Sequence, residues 1–161
     1  MSSKNNQAEL AVKFQQAVQL QQNANLQDAE TIYKDILKIY PLHTGANTML
    51  GIIYVQTSRD NDGVRLLEAS LIQDAKQFWA HNALGVGLFN LKKYDLAVIS
   101  LNQAIDINSS FTDAYFNLGK SQRELGEYRS AIISYSKCIE LDKNYANAFN
   151  NQGVIFLEDL K

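Results

Sequence analysis

An all-α fold of repeated helix pairs is predicted by three observations. The first is an internal period of 34: in that register Ala17, Gly51, Gly85, Gly119 and Gly153 align with no insertion or deletion. Further columns hold Ala29, Gly63, Ala97 and Ala131, then Tyr33, Leu67, Leu101 and Tyr135, then Leu37, Leu71, Ile105 and Ile139. The second is apolar spacing of i, i+3, i+4 and i+7 inside each unit, one face of a helix. The third is a break inside a unit, clearest at Leu125-Gly126-Glu127, where glycine ends a helix in a left-handed conformation.

The elements follow in chain order. A helix over 8–23 carries Ala17, and one over 26–39 carries Ala29, Tyr33 and Leu37. The next, 44–57, has Asn47, Leu50, Gly51 and Tyr54 on one face, and 60–73 has Gly63, Leu67 and Leu71. Helices over 78–91 and 94–107 carry Gly85 and then Ala97, Leu101 and Ile105. In 112–125 the stripe is Tyr115, Leu118, Gly119 and Gln122, and in 128–141 it is Tyr128, Ala131, Ile132, Tyr135, Cys138 and Ile139. A last helix spans 146–159. Where two helices cross, only Gly or Ala lets the backbones approach closely, which gives the small-residue columns (Ala17, Gly51, Gly85, Gly119, Gly153, Ala29, Gly63, Ala97, Ala131) a packing role.

Composition narrows the function classes. The chain has 161 residues, 46% apolar, with a formal charge of −2, one Pro, one Cys and two His. That length suffices for a domain with a real core. No run approaches the ~20 apolar residues of a membrane span, and no signal peptide opens the chain. Cys138 cannot form an internal disulfide or, alone, a thiolate metal site. The slightly acidic balance argues against nucleic acid, whose phosphates need a basic surface. Gly-rich phosphate loops, H-E-x-x-H and a nucleophile elbow are lacking. His43 follows Pro41-Leu42 in a turn, His81 occupies a helix-packing position, and Glu124 and Glu127 read as a solvated face. No catalytic residue, cofactor or metal site is expected, and a cytoplasmic location is.

The residues resemble the tetratricopeptide repeat (TPR) family, whose pattern is W-x2-L-G-x2-Y, then A-x3-F, then P. The resemblance covers residues 10–161 and includes bacterial TPR arrays and the TPR region of O-GlcNAc transferase-like proteins. It sets units at 10–43, 44–77, 78–111 and 112–145, the first helix of a fifth at 146–161, and a frayed start at 1–7. Gln16 and Gln152 stand where the family has Leu, Gln122 where it has an aromatic, and only Pro41 fills the proline position. The resemblance implies a right-handed superhelical solenoid of about 4.5 repeats and nine helices, the first helix of each pair lining a concave groove.

Carried onto this sequence, the family's groove positions select Phe14, Val18, Thr48, Met49, Ile52, Val55, Trp79, Asn82, Val86 and Phe89, an apolar half. They then select Asn117, Lys120, Arg123, Asn147, Asn150 and Asn151, a polar half. Either a peptide occupies the apolar half, or a tight superhelix or the chain's own N-terminal segment covers it. Asn117 and Asn151 are similar to two rungs of the O-GlcNAc transferase asparagine ladder, where amides hold a peptide backbone. The carboxylate clamp of chaperone-binding TPRs is not satisfied in any window, so an acidic chaperone tail is not expected.

Three roles follow. The chain is a non-catalytic scaffold for a protein or peptide segment, the recruiting region of a larger glycosyltransferase or sulfotransferase, or a self-associating module. Val154, Ile155, Phe156 and Leu157 run consecutively in the last helix. That suggests a fragment of a longer protein, or a homo-oligomer formed through this end.

Overall fold

The apolar stripes and small-residue columns produce helices and nothing else: in a computed structural model describing residues 2–159, with side chains from 7 to 157, there are nine helices and no strand among the described residues. They form two compact units, Met1–Ala75 and Lys76–Lys161. The first holds α1 (Ser2–Gln22), α2 (Leu26–Ile39), α3 (Thr44–Gln56) and α4 (Asp60–Gln73). The second holds α5 (Phe78–Asn90), α6 (Tyr94–Ile107), α7 (Thr112–Glu124), α8 (Tyr128–Leu141) and α9 (Ala146–Asp159). From α2 onward every helix lies within a residue of its expected span. The difference is at the start, where α1 begins at Ser2 although the sequence places its first turn near 8 behind a frayed segment.

Each turn between paired helices has one geometry. Ala24, Ser58, Lys92 and Gly126 sit 34 residues apart and are all left-handed, with φ of 61°, 60°, 59° and 77°. The following N–H reaches back past the helix end: Asn25 donates to the Leu20 carbonyl at 2.9 Å, Arg59 to Tyr54 at 2.7 Å, Lys93 to Leu88 at 2.9 Å and Glu127 to Gln122 at 2.9 Å. That pattern satisfies carbonyls that a helix end leaves open.

In unit one α2 packs on α1 and α3, and α3 on α4. The core is Ala17, Ala29, Tyr33, Ile36, Ala46, Leu50, Ile53 and Tyr54. In unit two α5 packs on α6, α6 on α7, α7 on α8 and α8 on α9; α7 also touches α5 and α9. One of its cores is Ala131, Tyr135, Cys138, Ala148 and Ile155.

The small-residue columns mark the crossings. A methyl group on Gly51 would stand 3.1 Å from the Gly63 carbonyl, and one on Gly85 or Gly119 would collide with Leu101 at 2.5 Å or Tyr135 at 2.6 Å. Ala17, Ala29, Ala97 and Ala131 are fully buried. Gly153 departs from this expectation: nothing described lies within 4 Å of where its Cβ would be. Its helix face, unlike that of Gly119, carries no partner helix among the described residues, so Phe149, Val154, Phe156 and Leu157 are exposed while Ile155 is buried.

Candidate binding face on α5, α7 and α9

The residues the family pattern assigns to the groove divide into two groups. Most of those in unit one are taken up by packing. The Phe14 ring lies 5.8 Å from Tyr33 and 5.2 Å from His43, and its tip fills the space a side chain on Gly45 would need. Val18 and Met49 pack against the same core. Ile52 is half-buried.

Two of the assignments fail outright. Thr48 is fully buried between α3 and α4, where its hydroxyl meets Ser70 Oγ and donates to the Thr44 carbonyl at 3.1 Å. Val55 is 7% exposed and lies 2.8 Å from the space beside Gly63. Both side chains face the paired helix because it offers each a fitting contact: a hydroxyl for Thr48 and a glycine notch for Val55.

Unit two keeps its counterparts accessible. The residue one repeat after Ser70 is Ala104, which has no hydroxyl; Asn82, the counterpart of Thr48, accepts at Oδ1 a hydrogen bond from Asn117 Nδ2 at 3.0 Å. That bond joins α5 to α7. Phe89, the counterpart of Val55, is half-buried, 5.4 Å from Tyr94, with the Lys120 ammonium 4.4 Å above its ring. Phe116 supports Lys120 from α7 at 5.8 Å and packs on Tyr135 and Tyr145. Trp79 is 41% exposed, edge-on to Phe78 at 4.8 Å. Val86, Arg123 and Asn151 are half-buried, whereas Asn147 and Asn150 are exposed.

The expected amide ladder therefore takes another form. Asn117 bonds Asn82 on the preceding first helix, and Asn151 lies beside the Tyr135 hydroxyl. Burial pushes Tyr135 up to about 12, and its hydroxyl, at 0% exposure, has no well-formed hydrogen bond. Burial also pushes the Lys120 ammonium down, the cost of removing a cation from water.

Several polar contacts escaped sequence reasoning. In unit one Arg59 grips Glu30 with two hydrogen bonds, 2.8 and 2.6 Å, and lies 3.9 Å above the Tyr54 ring; Lys34 adds a 2.6 Å ion pair to the same carboxylate. In unit two Tyr145 donates to Asp113 at 2.9 Å. The partners are 29 and 32 residues apart, so no local pattern announces them. A cleft of about 430 Å³ between α1 and α2, lined by Leu10, Ile32, Ile36, Ile39 and Tyr40 among others, was equally unannounced.

The remaining chemistry-bearing residues are structural. His43 Nδ1 accepts from the Ala46 N–H at 3.0 Å and so caps α3. His81 is buried, and Cys138 is fully buried with its thiol pushed up to about 11. Among the described residues no three His, Cys, Asp or Glu side chains are grouped to hold a metal, and no helix is long and apolar enough to cross a membrane.

Comparison with known proteins bears on the fold. Tetratricopeptide repeat models match residues 80–111 and 112–145. No curated protein matches the sequence significantly. Among solved structures, MamA is 25% identical with a TM-score of 0.81, over 89% of this chain and 84% of its own. YrrB, described as a TPR protein with an unusual peptide-binding site, is 23% identical with a TM-score of 0.81, over 98% and 81%. The first TPR of Spaghetti (RPAP3), bound to the HSP90 peptide SRMEEVD, is 21% identical with a TM-score of 0.71, over 73% and 94%. Residues 80–145 are thus tetratricopeptide repeats, and the helix pairs shared with these structures across most of its length give the chain an all-α fold of the tetratricopeptide-repeat solenoid class.

Proposed function

We propose that this chain is a non-catalytic scaffold that holds an extended protein segment on the α5–α7–α9 face of unit two. The observation that carries the reading is the Asn82–Asn117 pair, with the exposed Trp79 ring and the half-buried Phe89 ring on the same helix as Asn82. Only one of the Asn117 N–H bonds is used, and the Asn82 amide nitrogen makes none among the described residues, so the pair retains donors and an acceptor for a peptide backbone. The rings supply apolar anchorage beside those amides. That YrrB has a peptide-binding site and that RPAP3 holds an HSP90 peptide supports the reading.

The test is selection of random dodecapeptides on the purified chain, followed by calorimetric titration of the selected peptides. The double variant Asn82→Ala, Asn117→Ala should weaken their binding about tenfold, as expected for two hydrogen bonds of about 0.5–1.5 kcal/mol each. Circular dichroism should show unchanged helicity. Peptides that bind both proteins equally would place the site elsewhere.

A further inference from the structure

Position 120 breaks a column. At intervals of 34 its equivalents are Val18, Ile52, Val86 and Val154, all aliphatic, and only here does the position carry a charge. The Lys120 side chain is half-buried, and its ammonium stands over Phe89 and Phe116. Those rings offer the cation their negative faces but no hydrogen bond.

No carboxylate answers it among the described residues. Asp113 accepts from Tyr145, on the first turn of α7. Glu124 is exposed one turn along the same helix and attracts Lys120 only weakly, without forming an ion pair. Burial has therefore partly stripped this ammonium of water without supplying a counter-charge, an arrangement that favours an arriving anion. Alongside are the hydrogen-bonded Asn82–Asn117 amides and, between α7 and α9, the wholly buried Tyr135 hydroxyl with no well-formed hydrogen bond.

We propose that Lys120 selects an acidic side chain, Asp or Glu, in the segment held on this face, pairing with its carboxylate while the Asn82–Asn117 amides hold the backbone beside it. The proposal rests on the peptide-scaffold reading and adds the chemistry of the ligand. It concerns a single side-chain carboxylate gripped at one lysine, and not a chain terminus.

A positional-scanning dodecapeptide library tests it, each position fixed in turn as Asp, Glu, Leu or Lys on a random background and bound to the purified full chain. The wild type should prefer Asp or Glu over Lys at one position by about tenfold, and moderate salt should reduce that preference. Lys120→Met and Lys120→Gln should each lose it, the Asp- and Glu-fixed sublibraries at that position falling to the level of the Leu-fixed one; Lys120→Arg should retain it. Two variants are used so that one misfolded protein, recognised by its melting curve, does not decide the result. Binding with no acidic preference, or a preference that survives both variants, overturns the role of Lys120 and leaves the scaffold reading standing. No binding by any sublibrary overturns both.

Discussion

Units one and two carry the same repeat, yet equivalent positions have different fates. Thr48 is fully buried against Ser70, whereas Asn82 reaches Asn117 on the next first helix. Val55 fills the notch at Gly63, whereas Phe89 stays half-buried beneath Lys120. A repeat position determines which way the Cα–Cβ bond points. What the neighbouring helix offers, a hydroxyl, a glycine notch or an alanine, then decides whether the side chain is absorbed by packing or left to meet a partner. Unit one uses its apolar first-helix residues mostly to stabilise itself; unit two leaves amides, rings and a cation available.

The strongest way to break this comparison is a charge at paired positions. Val55→Asp would put a carboxylate into a dry crossing and should lower stability by about 4 kcal/mol, or unfold unit one. Phe89→Asp, one repeat later, leaves the new carboxylate half-exposed and near Lys120, so a loss of about 1 kcal/mol is expected. Thermal melts of the two variants should differ widely. Equal losses would mean that the two units bury this position alike.

That difference marks the boundary of what the sequence discloses. The helices were legible because the columns repeat without slippage, so Gly51, Gly85 and Gly119 each meet the large residue of the partner column. The turns were legible at Gly126 alone; Ala24, Ser58 and Lys92 adopt the same left-handed backbone without the residue that advertises it. The proposed binding face was half legible. Asn82, Phe89, Asn117 and Lys120 are accessible or partly so, but Thr48 and Val55 were misassigned, because family position carries no information on local clearance. The Glu30–Arg59 pair, the Tyr145–Asp113 bond and the unsatisfied Tyr135 hydroxyl depend on contacts between segments distant in sequence, which periodicity does not encode.

The Glu30 cluster sharpens the contrast through pH, since unit one closes on a buried carboxylate. The Arg59 hydrogen bonds, opposed by burial and aided by Lys34, lower Glu30 from its ordinary 4.5 to about 2. A carboxyl whose folded value is depressed contributes stability that is complete above about 4.5 and disappears as pH falls toward and below about 2. The loss across that window should reach up to about 3 kcal/mol. Glu30→Gln should melt lower at pH 7 and show a flatter acid limb. An acid limb identical to the wild type's would mean that Glu30 is not depressed.

The smallest expected effect concerns the one feature in which the units agree. All four intra-pair turns use a left-handed residue, and three of the four have a Cβ that crowds the following carbonyl. The Schellman-type hydrogen bonds nevertheless form in every turn, at 2.7 to 2.9 Å. The stability of the pairs therefore outweighs the strain. Ser58→Gly and Lys92→Gly, at exposed positions, should remove it and raise stability by about 0.5–1 kcal/mol each, less the extra chain entropy glycine brings to the unfolded state. Gly126→Ala, which adds a Cβ where space is open but φ is 77°, should cost about 1 kcal/mol through backbone strain alone. Urea midpoints at constant slope resolve changes of this size. Opposite signs for Lys92→Gly and Gly126→Ala are required if the turns of unit two are strained by conformation and not by contact. Matching signs would mean that neighbouring side chains, which the open space around Gly126 argues against, set the energy of these turns.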